Sequence, residues 1–466
     1  MTSRLWPVLS VAVGFAILAG CASSVPNVED ALAAPVNANA KPAVVSGRGP
    51  LSASESKAIL DRLKREGKDT DILERYLALD GQFTDSPLTS GNNVTLLRDG
   101  EATFAAMFQA IRQAKNHVNL EYFIFEDIDS GGQHIVDLLI EKQKAGVRVN
   151  LIYDSLGSLN TPNALFDRLK QTGINVAVFN SIDPLAAGKP GYAPNSRDHR
   201  KILVVDGTTA LVGGVNMSTV YASNPLTRDA SKPGNTSDHW RDTDLRIEGP
   251  AVAELQHLFV ATWTDQKGPP LNQDGFFPKV SSRGKQVVRI VGSSPSKRLP
   301  LQYVTLLSAI RNAEKRIWLT AGYFVPPEQA TKDLQDAARR GVDVRLLLPS
   351  KSDSTEALNA GRSHYADLLE AGVKIYEIQD VVLHSKSTVI DGVWSSVGSS
   401  NFDPRSVVLN NEVDATVLGR EVGQQLEAMF EEDLRTARNI DRKAWAERPA
   451  TEKIRETASR IWGDWL

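Results

Sequence analysis

A chain of 466 residues, 41% hydrophobic and 23% charged, has the composition of a soluble globular protein and can form two ordinary domains or one large duplicated unit. A net charge of −3 excludes a global attraction to nucleic acid or anionic lipid, so any positive field must be local. The single cysteine, Cys21, excludes an internal disulfide framework and a cysteine-based zinc site.

Residues 1–20 carry one basic side chain, Arg4, and then an apolar stretch from Leu5 to Gly20. Pro7 interrupts this stretch, which is short for a membrane span. It ends in Leu18-Ala19-Gly20-Cys21, which resembles a bacterial lipobox. That likeness implies a signal peptide over 1–20 and lipidation of Cys21. Ala22 replaces the aspartate associated with inner-membrane retention, implying a periplasm-facing lipoprotein of the outer membrane. A plain secretory signal or an uncleaved anchor is the alternative. Residues 21–52 are rich in Ala, Pro, Asn, Val and Ser without amphipathic period, and predict a flexible tether reaching about 30 Å. Helices are expected from Ser54 as N-cap, with Ile59, Leu60 and Leu63 at helical spacing and Ile72, Leu73, Tyr76 and Leu77 beyond Gly67. Packing against the first of two repeats is their expected place.

The body is duplicated. Phe104 to Ala114 (FAAMFQAIRQA) matches Tyr303 to Ala313 (YVTLLSAIRNA), and each predicts an amphipathic helix leading into a strand, 118–125 and 317–324. Helices ending at Ala145-Gly146 and Arg340-Gly341 precede strands at 147–153 and 342–348, and Gly173 to Phe179 matches Gly372 to Ile378. This alternation predicts α/β architecture in two halves with mixed sheets, 53–270 and 271–466. Their boundary falls in the Pro- and Gly-rich stretch from Gln266 to Pro300, and helices close the chain after Glu421. An extra segment around Asp183 to Pro194 either lines the entrance to a site or is a neutral surface loop. Trp462, Trp465 and Leu466 either pack on the body or dip into a membrane interface.

Each half then reaches the same motif. His199-Arg200-Lys201 is followed by Asp206, Gly213, Gly214 and Asn216; His384-Ser385-Lys386 is followed by Asp391, Gly398, Ser399 and Asn401. Both copies obey H-x-K-x4-D-x6-G-[GS]-x-N, and although one H-x-K arises easily by chance, a repeat with matched downstream spacing does not. Alternation along a strand puts His and Lys on one face, with the aspartate of opposite parity pairing structurally near the turn. The set suits a phosphodiester. Lys201 and Lys386 supply fixed positive charge, Asn216, Ser399 and Asn401 donate hydrogen bonds, and an imidazole attacks phosphorus or moves a proton near neutral pH. Each imidazole needs an acceptor for its second nitrogen. Glu412 opens a strand-like run after His384, and Asp242 aligns with it after His199, so each carboxylate is expected to serve its own half. No cofactor and no metal are expected, because two lysines repel a divalent cation and no H-E-x-x-H or cysteine cluster is present. His117, His134, His239, His257 and His364 stand in no repeated context and read as structural or exposed, with His239 beside Trp240 the one to watch.

The paired H-x-K-x4-D resembles the signature of the phospholipase D superfamily, and within it the likeness is to bacterial cardiolipin synthases and their phospholipase D-like relatives. Asn119-Leu-Glu-Tyr-Phe-Ile-Phe, Arg197 to Gly207, Trp240-Arg-Asp, Ser400-Asn-Phe-Asp-Pro-Arg-Ser and Leu409-Asn-Asn-Glu412 carry it, over roughly Leu88 to Leu434. The resemblance implies a phospholipase D fold whose two duplicated α/β halves form one active site at their interface. It implies transfer of a phosphatidyl group between phospholipids through a phosphohistidine, with His199 as nucleophile and His384 as acid and base. Phosphatidylglycerol, and also phosphatidylethanolamine, are the implied substrates, with a membrane reached through the lipid on Cys21 and no nucleic acid. Both motifs lie in one chain, so a monomer suffices, and the oligomeric state stays open. Familiar cardiolipin synthases carry transmembrane helices where this chain carries a lipobox. Phospholipase D hydrolysis, nuclease activity and an inactive lipoprotein scaffold are the alternatives.

Overall fold

The computed structural model describes residues 25–33, 44–67, 69–80, 86–182, 193–221, 239–297 and 299–463. Cys21 and the lipobox-like stretch before it, the stretch 183–192, Trp465, Leu466 and the side chain of Trp462 lie outside the described residues.

Runs such as Ile202-Leu-Val-Val205 and Val287-Val-Arg-Ile-Val291 are buried on both faces of a sheet, which is why they read as near-continuous apolar stretches. In the first half the strands run in spatial order Leu88–Arg98, Thr243–Glu248, Thr209–Gly213, Lys201–Val205, His117–Tyr122, Arg148–Asp154 and Asn175–Phe179. The second half repeats that order with Gln286–Ser293, Asn410–Leu418, Trp394–Gly398, Lys386–Ile390, Arg316–Ala321, Asp343–Pro349 and Lys374–Ile378. Both sheets are mixed: the last three strands of each run parallel and the others antiparallel.

Strand Leu88–Arg98 belongs to both sheets, since Thr89 pairs with Val288 and Leu96 with Leu245. One face of each sheet packs on the other. Ile202, Val204, Val212 and Leu245 share a single core with Ile290, Val389, Val397, Val413 and Ala415. Helices cover the outer faces. Phe104, Met107 and Phe108 of helix Asp99–Gln113 pack on Leu120, Leu203 and Leu211 in the first half, and Leu301–Asn312 and Glu328–Arg339 cover the second. Each such leucine or phenylalanine contributes about 1.5–3 kcal/mol by leaving water.

The N-terminal region departs from expectation in three ways. Helix Ala53–Glu66 is capped by Ser52 instead of Ser54, because Glu55 is three residues after Ser52 and closes a capping box, accepting from Ser52 N at 2.9 Å. This helix and Ile72–Asp80 pack on the second half, not the first. Leu63, Ile72, Leu73 and Tyr76 join Leu307, Ile310 and Trp394 in one core cluster, and the Tyr76 ring meets Trp394 edge-on at 5.8 Å. The reason lies in the repeat: Trp394 offers a large apolar surface where the first half has Thr209. Finally, the described parts of the expected tether are docked. Val28 and Leu32 are buried, Glu29 bonds Arg311 Nη2 at 2.6 Å, and Val44–Ser46 pairs in parallel with Leu88–Thr89. No described helix is long and apolar enough to cross a membrane.

Candidate active site

The motif aspartates act at hairpin turns. Asp206 and Asp391 adopt φ of 53° and 52°, a left-handed geometry that Asp tolerates. Asp206 accepts from the backbone N–H of Lys115, Asn116 and His117, and Asp391 from Glu314, Lys315 and Arg316. Each therefore ties its hairpin to the start of the neighbouring strand. Gly213 and Gly398 leave no room for a Cβ, because the carboxylates of Asp244 and Asp414 fill that space.

The two motifs converge on one cleft. The rings of His199 and His384 lie 6.5 Å apart between centroids. Both line an open cavity of about 1190 Å³ with Phe123, Asn216, Trp240 and Asn401. His199 Nδ1 sits 3.1 Å from Glu412 Oε2 and 3.1 Å from the Ser399 carbonyl. His384 Nδ1 sits 2.8 Å from Asp242 Oδ2 and 3.0 Å from the Tyr221 hydroxyl. The carboxylates are thus exchanged between halves, correcting the expectation that each serves its own.

Two short strand pairings cause the exchange. Arg197–Asp198 pairs in parallel with Asn410–Asn411, and Val381–Leu383 with His239–Arg241. His199 N then donates to Asn411 O, and His384 N to Arg241 O. Each histidine arrives beside the residue that precedes the other half's carboxylate.

Ser399 is also corrected. Its hydroxyl donates to Glu412 Oε2 at 2.5 Å and accepts from Val413 N at 3.0 Å, so it orients the carboxylate and does not offer itself to a substrate. At the equivalent Gly214 a side chain would collide with Asp242. Asn216 accepts from Ile124 N at 3.3 Å, and Asn401 Oδ1 is buried without a hydrogen-bond partner. Lys201 Nζ donates to the His199 carbonyl at 2.5 Å, and Lys386 Nζ to that of His384. Lys201 lies over the Phe123 ring at 5.4 Å and Lys386 over Tyr323 at 5.9 Å, so each ammonium rests on an aromatic face.

Burial sets the protonation states. It pushes His199 and His384 down to about 4 against the pull of Glu412 and Asp242, with the lysines adding to the push. Both imidazoles are therefore neutral near pH 7 in the empty cleft, which leaves a free ring nitrogen for attack. Burial lowers Lys201 to about 7 and Lys386 to about 8. Burial works to raise Asp242 and Glu412, yet the adjacent histidines and lysines outweigh it and hold both below the usual carboxylate range. A phosphodiester anion entering between the lysines adds the negative charge that favours one imidazolium.

Several residues of the site were not signalled by spacing. Arg200, the middle residue of the first motif, donates to the Glu412 carbonyl at 3.1 Å and the Ser293 carbonyl at 2.8 Å, and so pins the second half against the first. Arg241, just before Asp242, bonds Asp433 at 2.8 Å and Asp99 at 3.0 Å. Tyr221 was hidden because a hydroxyl far downstream of the motif has no sequence pattern. Among the remaining histidines, His117 is buried between Asn116 and Gln256, His134 lies near Asp127 at the surface, and His257 stacks on Phe277. Among the described residues no group of three His, Cys, Asp or Glu is arranged to hold a metal ion.

Comparison with known proteins places this geometry in a family. A family model described as the cardiolipin synthase, phospholipase D-like domain matches the chain twice, over 107–224 and 306–434. A cardiolipin synthase of Alkalihalophilus pseudofirmus is 34% identical over 403 residues, covering 86% of this chain and 77% of that protein. One from Geobacillus kaustophilus is 35% identical over 377 residues, covering 80% and 72%. The crystal structure of a phosphatidylserine synthase from Haemophilus influenzae shares the fold with a TM-score of 0.56 at 13% identity, covering 87% of this chain and all of that one. With two motif copies, one shared cleft and these relatives, the chain belongs to the cardiolipin synthase family of the phospholipase D superfamily and is a phosphatidyltransferase of that type.

Proposed function

We propose that His199 and His384 divide a two-step displacement between them, moving a phosphatidyl group from phosphatidylglycerol, or from phosphatidylethanolamine, to an alcohol acceptor. Neutral His199 attacks phosphorus through Nε2, forming an N–P bond as the bond to the head-group oxygen breaks. Protonated His384 gives its proton to that oxygen. The acceptor hydroxyl then returns a proton to His384 and attacks phosphorus, and the N–P bond to His199 breaks. Lys201, Lys386, Asn216 and Asn401 hold the phosphoryl oxygens as charge spreads over them. The carrying observation is the pair of imidazoles 6.5 Å apart, each with Nδ1 held by a carboxylate. That constraint orients Nε2 as the reactive nitrogen.

The purified protein, given labelled phosphatidylglycerol with and without phosphatidylethanolamine, is expected to make cardiolipin and release glycerol. Phosphatidic acid as the sole product would establish hydrolysis instead, and no product would sink the reading.

The same proposal places the protein on a membrane through Cys21, facing the periplasm at the outer membrane, with Leu18-Ala19-Gly20-Cys21 as support. Docking of Val28 shortens the reach. The seven residues from Cys21 to Val28 span at most about 25 Å, which holds the body near the bilayer. Cys21→Ala is expected to move the protein from the membrane to the soluble fraction, and unchanged sedimentation with membranes would refute the anchor.

A further inference from the structure

Helix Leu301–Asn312 does not seal the outer face of the second sheet. Between them lies a chamber whose walls include Gln302, Thr320, Thr388, Ser396 and Thr416. Cross-strand pairing explains the polar row: Thr388 lies opposite Ser396, and Ser396 opposite Thr416, so the three hydroxyl side chains share one face of the sheet. Lys386, on the same face two residues before Thr388, stands at one end. Asn401 and Asp403 line both this chamber and the catalytic cleft.

The duplication supplies a control. In the first half the positions of Ala321, Thr388 and Ser396 are held by Tyr122, Leu203 and Leu211, which pack with Phe104 and Met107 in one apolar core. The second half has lost a large ring at one of these positions and gained hydroxyl groups at the other two. Several buried polar atoms on the chamber wall, the acceptors Gln302 Oε1 and Asn401 Oδ1 among them, have no hydrogen-bond partner. A buried polar atom without a partner costs about 1–3 kcal/mol, so an arrangement of this kind fits a ligand that supplies donors.

We propose that this chamber is the subsite for a neutral polyhydroxyl group of the glycerol class, carried by the acceptor. The assignment rests on the phosphatidyl-transfer reading above and adds what that reading leaves open. An acyl chain would leave the hydroxyl row and both orphan acceptors unpaired. A polyol pairs with all of them. The location also suits the chemistry. Attacking and departing oxygens lie on opposite sides of phosphorus in an in-line displacement, so with His199 on one side the alcohol belongs on the side of His384 and Lys386.

The test restores first-half residues. The phosphatidyl group of a labelled phospholipid is offered to glycerol, ethanol and water together, and the three products are measured for the parent, for the double variant Thr388→Leu/Ser396→Leu and for Thr388→Val. In the double variant the glycerol-to-ethanol ratio is expected to fall by about tenfold or more, because a site that hydrogen-bonds hydroxyls discriminates strongly against analogues lacking them. Hydrolysis should fall much less than transfer to glycerol, since attack by water does not depend on the hydroxyl row. Thr388→Val, which keeps the shape, should move the ratio in the same direction and decides the matter if the double variant fails to fold. An unchanged ratio, or an equal loss of all three products, overturns the chamber. A parent that transfers to neither alcohol overturns the transfer reading itself.

Discussion

Replacing His199 with asparagine is expected to lower phosphatidyl transfer by about 10⁴-fold or more and to abolish covalent capture of the phosphatidyl group, because loss of a nucleophile removes the whole route it opens. His384→Asn should be as inactive in turnover yet retain a slowly formed adduct. The first step loses its general acid, a deficit of about 10²–10⁴-fold, and the second loses the base that would release the intermediate. The check is acid-quenched protein after incubation with labelled phospholipid, with the modified peptide located by mass spectrometry. A label on His384 in the His199→Asn protein would reverse the two roles. No adduct on either variant would sink the covalent mechanism. The geometry sharpens the contrast, since both rings are buried, lie 6.5 Å apart and are pushed down to about 4, so neither has a charge advantage in the empty cleft.

The second large effect concerns the exchanged carboxylates. Glu412→Gln is expected to reduce kcat by about 10³–10⁴-fold, comparable with removal of the orienting acid in a hydrolase triad. The diagnostic is which histidine responds. Glu412 raises His199 against burial, so its removal should push His199 further below about 4 and leave His384 unmoved, as followed by ring-proton NMR titration. Asp242→Asn should act on His384 alone. Response of the same-half histidine in either variant would refute the exchange. The pH profile carries the same signature. Lys201 and Lys386 are lowered to about 7 and about 8, so their positive charge is present below those values and lost as pH rises through them. kcat/KM should therefore decline on that alkaline limb. Glu412 raises both lysines, so Glu412→Gln should shift the limb to lower pH.

These expectations also mark where local pattern stops being informative. Ser399 shows it at one residue. Its position after Gly398 reads as a donor to phosphate, but Glu412, on the neighbouring strand of its own half, captures the hydroxyl at 2.5 Å. The docked N-terminal segments show it for a whole region. Val28, Leu32 and Val44 have no periodicity to announce a partner, yet each finds an unfilled edge of the second half's core. Arg200 and Arg241 sit inside recognisable motifs, and only their long-range partners, Glu412 and Asp433, reveal that they join the halves.

What the linear chain determined by itself is whatever repeats or alternates: the duplication, the mixed α/β halves, the two H-x-K motifs with their turn aspartates and glycines, and the identity of the two carboxylates. Tertiary structure alone decided which carboxylate faces which histidine, where the N-terminal helices dock, and that one half sets hydroxyl groups along a chamber where its twin packs Leu203 and Leu211 in an apolar core. The physical reason is range. Periodicity records which face of an element is buried, whereas the pairing of Arg197–Asp198 with Asn410–Asn411, and of Val381–Leu383 with His239–Arg241, joins backbones far apart in the chain and leaves no local trace.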